Sequence, residues 1–153
     1  MISNMNESNR EKMILKIKKN HPLAKTPAFA LPGDAGMDLF SIERKHINPG
    51  EIVQVRTGIE IELPKDTVGL VWDKSGLATN HGIKVMGGVW DEIYRGELII
   101  SLINLSKKTY TIEAGDKIAQ LLIQKIEHPQ IAEVSEIASS VRGNRRLGST
   151  GRK

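Results

Sequence analysis

Five short segments of this chain combine glycine with polar residues suited to binding a phosphate group or a nucleobase. They span residues 35–39, 73–78, 87–97, 114–120 and 142–151. Glycine lets the backbone approach a ligand closely, and charged side chains and backbone N–H groups are the usual partners of phosphate oxygens. Taken alone, each segment also has a plain structural interpretation as a turn, a capped helical turn or a hairpin.

The segment 73–78 has the composition of an anion site. If a short helix begins after Asp73 or Ser75, its first N–H groups point outward beside the Ser75 hydroxyl and the Lys74 ammonium group. Partial positive charge at a helix start and an adjacent cation both favour a bound anion. The alternative is a capped helical turn without a ligand.

Segment 87–97 is the most informative of the five, because two successive glycines precede an acid and an aromatic ring. Gly87 and Gly88 allow close backbone approach, and Asp91 and Tyr94 follow within a few residues. In segment 114–120, a turn leads into a strand that carries Gln120. A buried amide without a partner costs ~1–3 kcal/mol, so Gln120 must find a partner there.

Positive charge is concentrated at the end of the chain. The formal net charge is +4, and residues 142–153 hold five basic residues and no acid, which leaves 17 of the 22 basic residues against 18 acidic ones. A nucleic-acid-binding face usually spreads its basic residues more widely. A glycine-containing basic tail suits closure over a compact polyanion, and the alternative is a solvated tail without a role.

The rest of the sequence predicts an all-β fold. Apolar and acidic residues alternate over 58–64, and short apolar runs at 68–72, 98–105 and 118–126 are bounded by turn residues. Many short strands with frequent turns favour a sandwich or barrel. The only predicted helix is a short one at 75–81, and residues 132–141 are expected to be coil or an extended arm.

Composition narrows the chemistry and the expected location. The chain has no cysteine, which removes disulfides, thiolate zinc sites and cysteine nucleophiles and fits a reducing compartment. The first 20 residues contain no apolar run typical of a signal peptide or a membrane span, so a cytoplasmic protein without a membrane partner is expected. The four histidines are widely scattered, and metal binding by them is not predicted.

The five segments, in their order and spacing, resemble the five motifs of the trimeric dUTPase family. The matching stretches read AGMDL, SGLA, GV-x-D-x-x-YRGE, AGDKIAQ and GSTG, and the resemblance covers about residues 14 to 151. It implies hydrolysis of dUTP to dUMP and pyrophosphate, which keeps uracil out of DNA and supplies dUMP for thymidylate synthesis. It also implies a jelly-roll-like distorted β-barrel with one short helix, assembled as a homotrimer. The implied division is an N-terminal extension at 1–13, a barrel core at 14–131, and a C-terminal arm at 132–153 that closes over a neighbouring active site.

The resemblance also implies roles for individual residues, with each active site drawing on all three chains. Asp91 is expected to be the general base, and the Tyr94 ring is expected to pack on the deoxyribose. Mg²⁺ is expected to be held chiefly by the phosphates and by waters, with Asp38 supporting the outer shell through water.

The α- and β-phosphates are expected to be contacted by Lys74, Ser75, Gly76 and Gln120. A hairpin that starts near Gly87 and returns past Ile99 would pair with uracil through its main chain, and this hairpin includes Gly88 and Val89. The tail would fold over the triphosphate through Arg142, Leu147, Gly148, Ser149 and Thr150.

Four positions depart from the family's usual pattern. Lys74 stands where arginine is common, so the bidentate fork is lost although the charge remains. Trp90 replaces a smaller aliphatic residue, and Ile93 replaces a frequent aspartate. Leu147 stands where a phenylalanine usually stacks on uracil, so closure of the tail must rest on other contacts.

Three alternatives compete with a dUTPase. A dCTP deaminase of related fold needs a glutamate where this chain has Ser101, and serine cannot carry the proton in deamination. A non-catalytic nucleotide-sensing module would be expected to have lost the base at Asp91. A nucleic-acid-binding β-barrel would need more rings for base stacking than two Phe, two Tyr and two Trp supply.

Overall fold

A computed structural model describes residues 13–141 and 143–144 of the chain. The expected N-terminal extension therefore lies almost entirely outside the described residues. The same holds for the tail contacts predicted at Arg142, Leu147, Gly148, Ser149 and Thr150. Within the described part, no helix is long and apolar enough to cross a membrane.

The described residues form ten strands and one short helix, so the prediction of an all-β protein with a single helix is confirmed. In chain order the elements are β1 (Lys16–Lys19), β2 (Met37–Phe40), β3 (Lys45–Ile47), β4 (Ile52–Glu62), β5 (Thr67–Trp72), α1 (Ser75–His81), β6 (Ile83–Met86), β7 (Val89–Trp90), β8 (Glu97–Asn104), β9 (Tyr110–Ile112) and β10 (Lys117–Lys125).

Two four-stranded antiparallel sheets share one hydrophobic core. The first sheet has the order β1-β4-β8-β6, the second has the order β2-β10-β5-β7, and β3 and β9 form a separate pair. Side chains of both sheets meet in the core, with Leu98 and Ile100 from the first and Leu39 and Leu121 from the second. The sheets are thus layered in the jelly-roll manner, and their hydrogen-bonded order within the described residues does not close into one continuous barrel.

Strand β8 shows how the sequence pattern produces this layering. Its alternate residues, Leu98, Ile100, Leu102 and Asn104, are buried, and the residues between them are only partly covered. A period of two places one set of side chains in the core and the other set on the outer face. Asn104 is polar, but its amide donates to two backbone carbonyls and accepts the Ser106 N–H, so its burial leaves no polar group unpaired.

Strand β1 was not predicted, because its sequence Lys-Ile-Lys-Lys is polar. It lies at the edge of the first sheet and pairs with β4, where Lys16 meets Glu62 at 2.8 Å and Lys18 meets Glu60 at 2.9 Å. Exposed ion pairs of this kind contribute only ~0–1 kcal/mol each. Lysines on an edge strand also discourage pairing with the edge of another sheet.

Helix α1 connects the two sheets between β5 and β6. It begins at Ser75, as predicted, but its N-cap is Lys74 rather than Asp73 or Ser75. It ends before Gly82, whose backbone adopts the left-handed conformation with φ 67°. None of its residues is buried. From residue 126 to residue 141 the chain forms neither helix nor strand, which matches the expectation of coil or an extended arm for 132–141.

Candidate active site

The first group of predicted site residues meets where β5 runs into α1. Asp38 on β2 lies opposite Gln120 on β10, and Gln120 lies opposite Trp72 at the end of β5. The Gln120 amide nitrogen donates to the Asp73 carbonyl at 2.8 Å, which is the partner that a partly buried amide in this strand requires. Lys74, Ser75 and Gly76 follow directly, and within the described residues no side chain caps α1 at Lys74.

Asp38 is the buried anion of this group. Its Oδ1 accepts from the Lys74 ammonium group at 2.5 Å, and its Oδ2 accepts from Lys117 at 2.7 Å. Burial raises the pKa of Asp38, but the hydrogen bonds from Lys117 and Lys74 outweigh it and hold that pKa below its ordinary value. Asp38 is therefore a carboxylate that holds two lysines in place beside Gln120.

The donor set fits a metal ion that arrives with the ligand. The described residues contain no group of three or more His, Asp or Glu side chains that could hold a metal ion. Both oxygens of Asp38 are paired with lysines, and its outer-shell contact to a metal ion through water stays a prediction. Mg²⁺ binds readily through phosphate oxygens and waters with few protein ligands.

The second group lies on the connection between β6 and β8. Gly87 has φ 64°, a left-handed conformation that favours glycine, and the Gly88 carbonyl accepts the Val71 N–H at 2.7 Å. A Cβ atom at Gly88 would lie 2.2 Å from the Val71 carbonyl oxygen, so only glycine fits there. Strand β7, which begins at Val89, then pairs with β5, and this fixes the backbone of the segment.

Asp91 and Tyr94 lie together on the exposed turn that follows β7. The Tyr94 N–H donates to the Asp91 carbonyl at 3.1 Å, and the Tyr94 ring meets the Trp90 ring edge-on at a centroid distance of 5.1 Å. The Tyr94 hydroxyl donates to the Glu97 carbonyl at 3.1 Å. Trp90, one of the departures from the usual pattern, thus supports the tyrosine ring from the side.

Within the described residues, the predicted site residues line more than one cleft. A cleft of about 230 Å³ is lined by Asp73, Val85, Gly88 and Val89 among others. Asp91 lines a different cleft, which it shares with Glu92 and His128. Ile99 lies farther along β8, opposite Arg56 on β4.

Three structurally important side chains have contacts that the sequence did not predict. Lys117 pairs with Asp38, and the Asp73 carboxylate accepts a hydrogen bond from β6. Glu97, the last residue of the motif in segment 87–97, pairs with Arg56 at 2.8 Å and accepts the Gly58 N–H at 2.8 Å. Burial raises the pKa of Glu97, and the hydrogen bonds from Arg56 and Gly58 more than offset that effect and leave it lowered. Each of these three residues lies inside or beside one of the five motifs, and this position was the only sequence feature that pointed to them.

Gly36 leaves room for the Gln120 side chain because it has no Cβ atom. A Cβ atom at Gly36 would lie 2.6 Å from the Gln120 side-chain oxygen and 3.1 Å from its Cβ. If Gln120 contacts a phosphate group, as the resemblance implies, we expect Gly36→Ala to displace the amide and to raise KM for the substrate roughly 10- to 100-fold, since a hydrogen bond to a charged group contributes ~1.5–3 kcal/mol. Steady-state kinetics of Gly36→Ala, Gln120→Ala and the double variant test this, because the effects should fall well short of additive. Fully additive effects would contradict it.

An all-β sandwich with lysines and a glutamine at one strand end and a glycine-containing hairpin has the donors that phosphate and base recognition require. The comparisons with known proteins make the class specific. The family model for dUTPase matches residues 23–151. A deoxyuridine 5'-triphosphate nucleotidohydrolase of Alkaliphilus metalliredigens is 45% identical over 141 residues, covering 91% of this chain and 98% of the relative. One from Clostridioides difficile is 48% identical over 139 residues, covering 90% and 97%.

Solved structures agree with the sequence comparisons. A dUTPase of Staphylococcus bacteriophage 80alpha with dUpNHpp superposes with a TM-score of 0.84 at 28% identity, covering 90% of this chain and 98% of that one. A dUTPase from phage phi11 of S. aureus, studied for the coordination of a structural Mg(II) ion, has a TM-score of 0.77 at 28% identity, covering 82% and 99%. The chain belongs to the dUTPase family, whose members hydrolyse dUTP.

Proposed function

We propose that this chain hydrolyses dUTP to dUMP and pyrophosphate, with Asp91 as the general base for a water that attacks the α-phosphorus. The family match supports the reaction. The observation that carries the assignment is that one turn presents an exposed carboxylate and a tyrosine ring directly after a hairpin backbone that is fixed by Gly88. A carboxylate in that place can accept the proton of a water held near the ligand.

Uracil is selected by the backbone of the hairpin around Gly88 and Val89. The hydrogen bond from the Val71 N–H to the Gly88 carbonyl and the pairing of β7 with β5 hold this backbone in place, so a donor and an acceptor can match the edge of uracil. Cytosine presents an amino group where uracil presents a carbonyl, which leaves buried polar groups mispaired and gives large discrimination. The Tyr94 ring, held by Trp90 and Glu97, covers the deoxyribose where a 2′-hydroxyl would otherwise lie.

Lys74, Ser75, Gly76 and Gln120 bind the α- and β-phosphates. Asp38 keeps two cations, Lys74 and Lys117, beside Gln120, and the partly exposed Lys74 ammonium group is available to reach a phosphate oxygen. Mg²⁺ supplies charge neutralisation on the leaving pyrophosphate when it is bound with the nucleotide. The lysine in place of arginine acts as a point charge and gives less control of phosphate orientation.

We propose that a complete site draws on more than one chain. We also propose that the protein is a homotrimer, as its resemblance to the trimeric dUTPase family implies. Gly88 and Val89 of the proposed uracil hairpin line one cleft, whereas the proposed base Asp91 lines another, and this supports such an arrangement. We further propose that residues 132–153 form an arm that reaches a neighbouring chain. Ile131, just before it, and Ile137 within it are 99% and 86% exposed, which suits a segment that packs against another chain.

A pyrophosphate-release assay with parallel substrates tests the proposed function. Full-length protein with Mg²⁺ should turn over dUTP far faster than dCTP, dTTP or UTP, because the hairpin rejects the cytosine amino group and the thymine methyl group and Tyr94 rejects the 2′-hydroxyl. The products should be identified chromatographically. Turnover of dCTP at a comparable rate, or dUTP formed from dCTP, would assign the chain to the deaminase alternative instead.

A further inference from the structure

Asp73 connects the segment that precedes α1 to the strand that follows it. Its Oδ1 accepts the Val85 N–H at 2.6 Å, and its Oδ2 pairs with the Lys84 ammonium group at 2.9 Å. Asp73 follows β5 of the second sheet, whereas Lys84 and Val85 belong to β6 of the first sheet. The contact therefore joins the two sheets at the base of the helix.

Strand β6 is an edge strand, and this explains why the contact is available. Its partner β8 lies on one side only, so one row of backbone groups faces away from the sheet. The Asp73 carboxylate takes the Val85 N–H from that row. The Asp73 side chain is 21% exposed and Lys84 is 51% exposed, so the backbone contact is the better shielded of the two and the ion pair contributes less.

The backbone of Asp73 is held from the opposite direction. Its carbonyl accepts a hydrogen bond from the Gln120 amide. Strand β10 therefore holds the backbone of Asp73, while the side chain of Asp73 holds β6. Lys74, Ser75 and Gly76 follow at once, and Gly87 and Gly88 lie two and three positions beyond Val85. A shift at Asp73 therefore moves the phosphate-contacting segment relative to the start of the uracil hairpin.

We propose that Asp73 is a positioning residue for the dUTPase reaction, acting through its hydrogen bond to the Val85 N–H. This rests on the proposed function, in which Lys74, Ser75 and Gly76 bind phosphate. Asp73 touches no reacting atom itself.

Four variants of the full-length protein test the proposal. Asp73→Ala removes both contacts, Asp73→Asn keeps an acceptor for the Val85 N–H, Lys84→Met removes only the ion pair, and Lys74→Met removes the proposed phosphate contact. We expect kcat/KM to fall about 10- to 100-fold in Asp73→Ala, mostly through kcat, since a misplacement of ~1 Å can cost ~10²-fold. Asp73→Asn and Lys84→Met should stay within about threefold of the parent protein, because exposed ion pairs contribute little.

Hydrogen exchange at Val85 gives a readout independent of catalysis. Exchange of its N–H should accelerate in Asp73→Ala and stay slow in Asp73→Asn and Lys84→Met. If Asp73→Ala does not fold, Asp73→Ser replaces it, because its hydroxyl is one bond shorter than the carboxylate and does not reach β6.

The outcomes separate the two assignments. Parent-like kcat/KM in Asp73→Ala, with activity lost in Lys74→Met, overturns the positioning role and leaves the proposed function intact. Parent-like kinetics in both variants overturns the phosphate assignment as well. A loss in Lys84→Met as large as that in Asp73→Ala shows that the ion pair carries the effect, and this contradicts the role given to the Val85 contact.

Discussion

Replacing Asp91 by asparagine is expected to lower kcat for dUTP by ~10²–10⁴-fold, the usual contribution of a general base. The amide keeps the size and polarity of the carboxylate but cannot accept a proton from water. Asp91 is exposed and its carbonyl accepts the Tyr94 N–H, so the substitution leaves the turn and the tyrosine ring in place. Affinity for a non-hydrolysable analogue such as dUpNHpp should therefore change little.

Glu92 provides a matched control for Asp91. Its carboxylate accepts the Asp66 N–H at 2.7 Å, so it is a neighbouring acid with a structural contact. Glu92→Gln keeps an oxygen for that contact and should retain turnover within a few-fold, while Asp91→Asn should not. Single-turnover kinetics with analogue binding measured in parallel make the comparison. Near-parent turnover in Asp91→Asn, with intact folding, would show that another group activates the water.

The framework of the fold follows from local pattern, which is why much of it could be predicted. Strands β4 and β8 alternate buried and uncovered residues, and β5 and β10 are apolar runs that lie between other strands of their sheet. The start of α1 at Ser75 was also predicted, although its N-cap is Lys74. Strand β1 escaped prediction because its stability comes from its partner β4, and the paired residues, from Lys16↔Glu62 to Lys19↔Ile59, lie 46 to 40 positions apart in sequence.

The candidate site shows the same difference between features set by local sequence and features set by long-range strand pairing. Residues that are expected to act through the chemistry of their own side chain, such as Asp91 and Gln120, could be proposed from the motifs. The pairing of Asp38 with Lys117 and of Asp73 with Val85 depends on how strands from distant parts of the chain meet. Lys117 is brought beside Asp38 by pairing of β10 with β2, and no short-range pattern encodes that contact. Side chains that hold other side chains are therefore harder to find than those expected to touch a ligand.

Removing residues 142–153 is expected to lower kcat/KM for dUTP by ~10²–10³-fold, comparable to the loss of a preorganised donor in an active site. The deleted part contains the basic residues and hydroxyls that we expect to close over the triphosphate and to exclude bulk water. The two sheets and their core lie within residues 13–126, so folding and assembly should survive the deletion. Mass measurement in solution should therefore give the same oligomer for both proteins.

Mixing two inactive proteins tests whether the arm acts on a neighbouring chain. The truncated chain retains Asp91, and the full-length Asp91→Asn chain retains the arm, so neither homo-oligomer has a complete site. If a site takes its base and its arm from different chains, subunit exchange by mild denaturation and refolding of the mixture should restore turnover to a substantial fraction of the parent level. Each variant denatured and refolded alone, in the same way, is the control. No recovery despite demonstrated mixed oligomers would mean that base and arm come from the same chain, and full activity of the truncated protein alone would mean that the basic tail is only solvated.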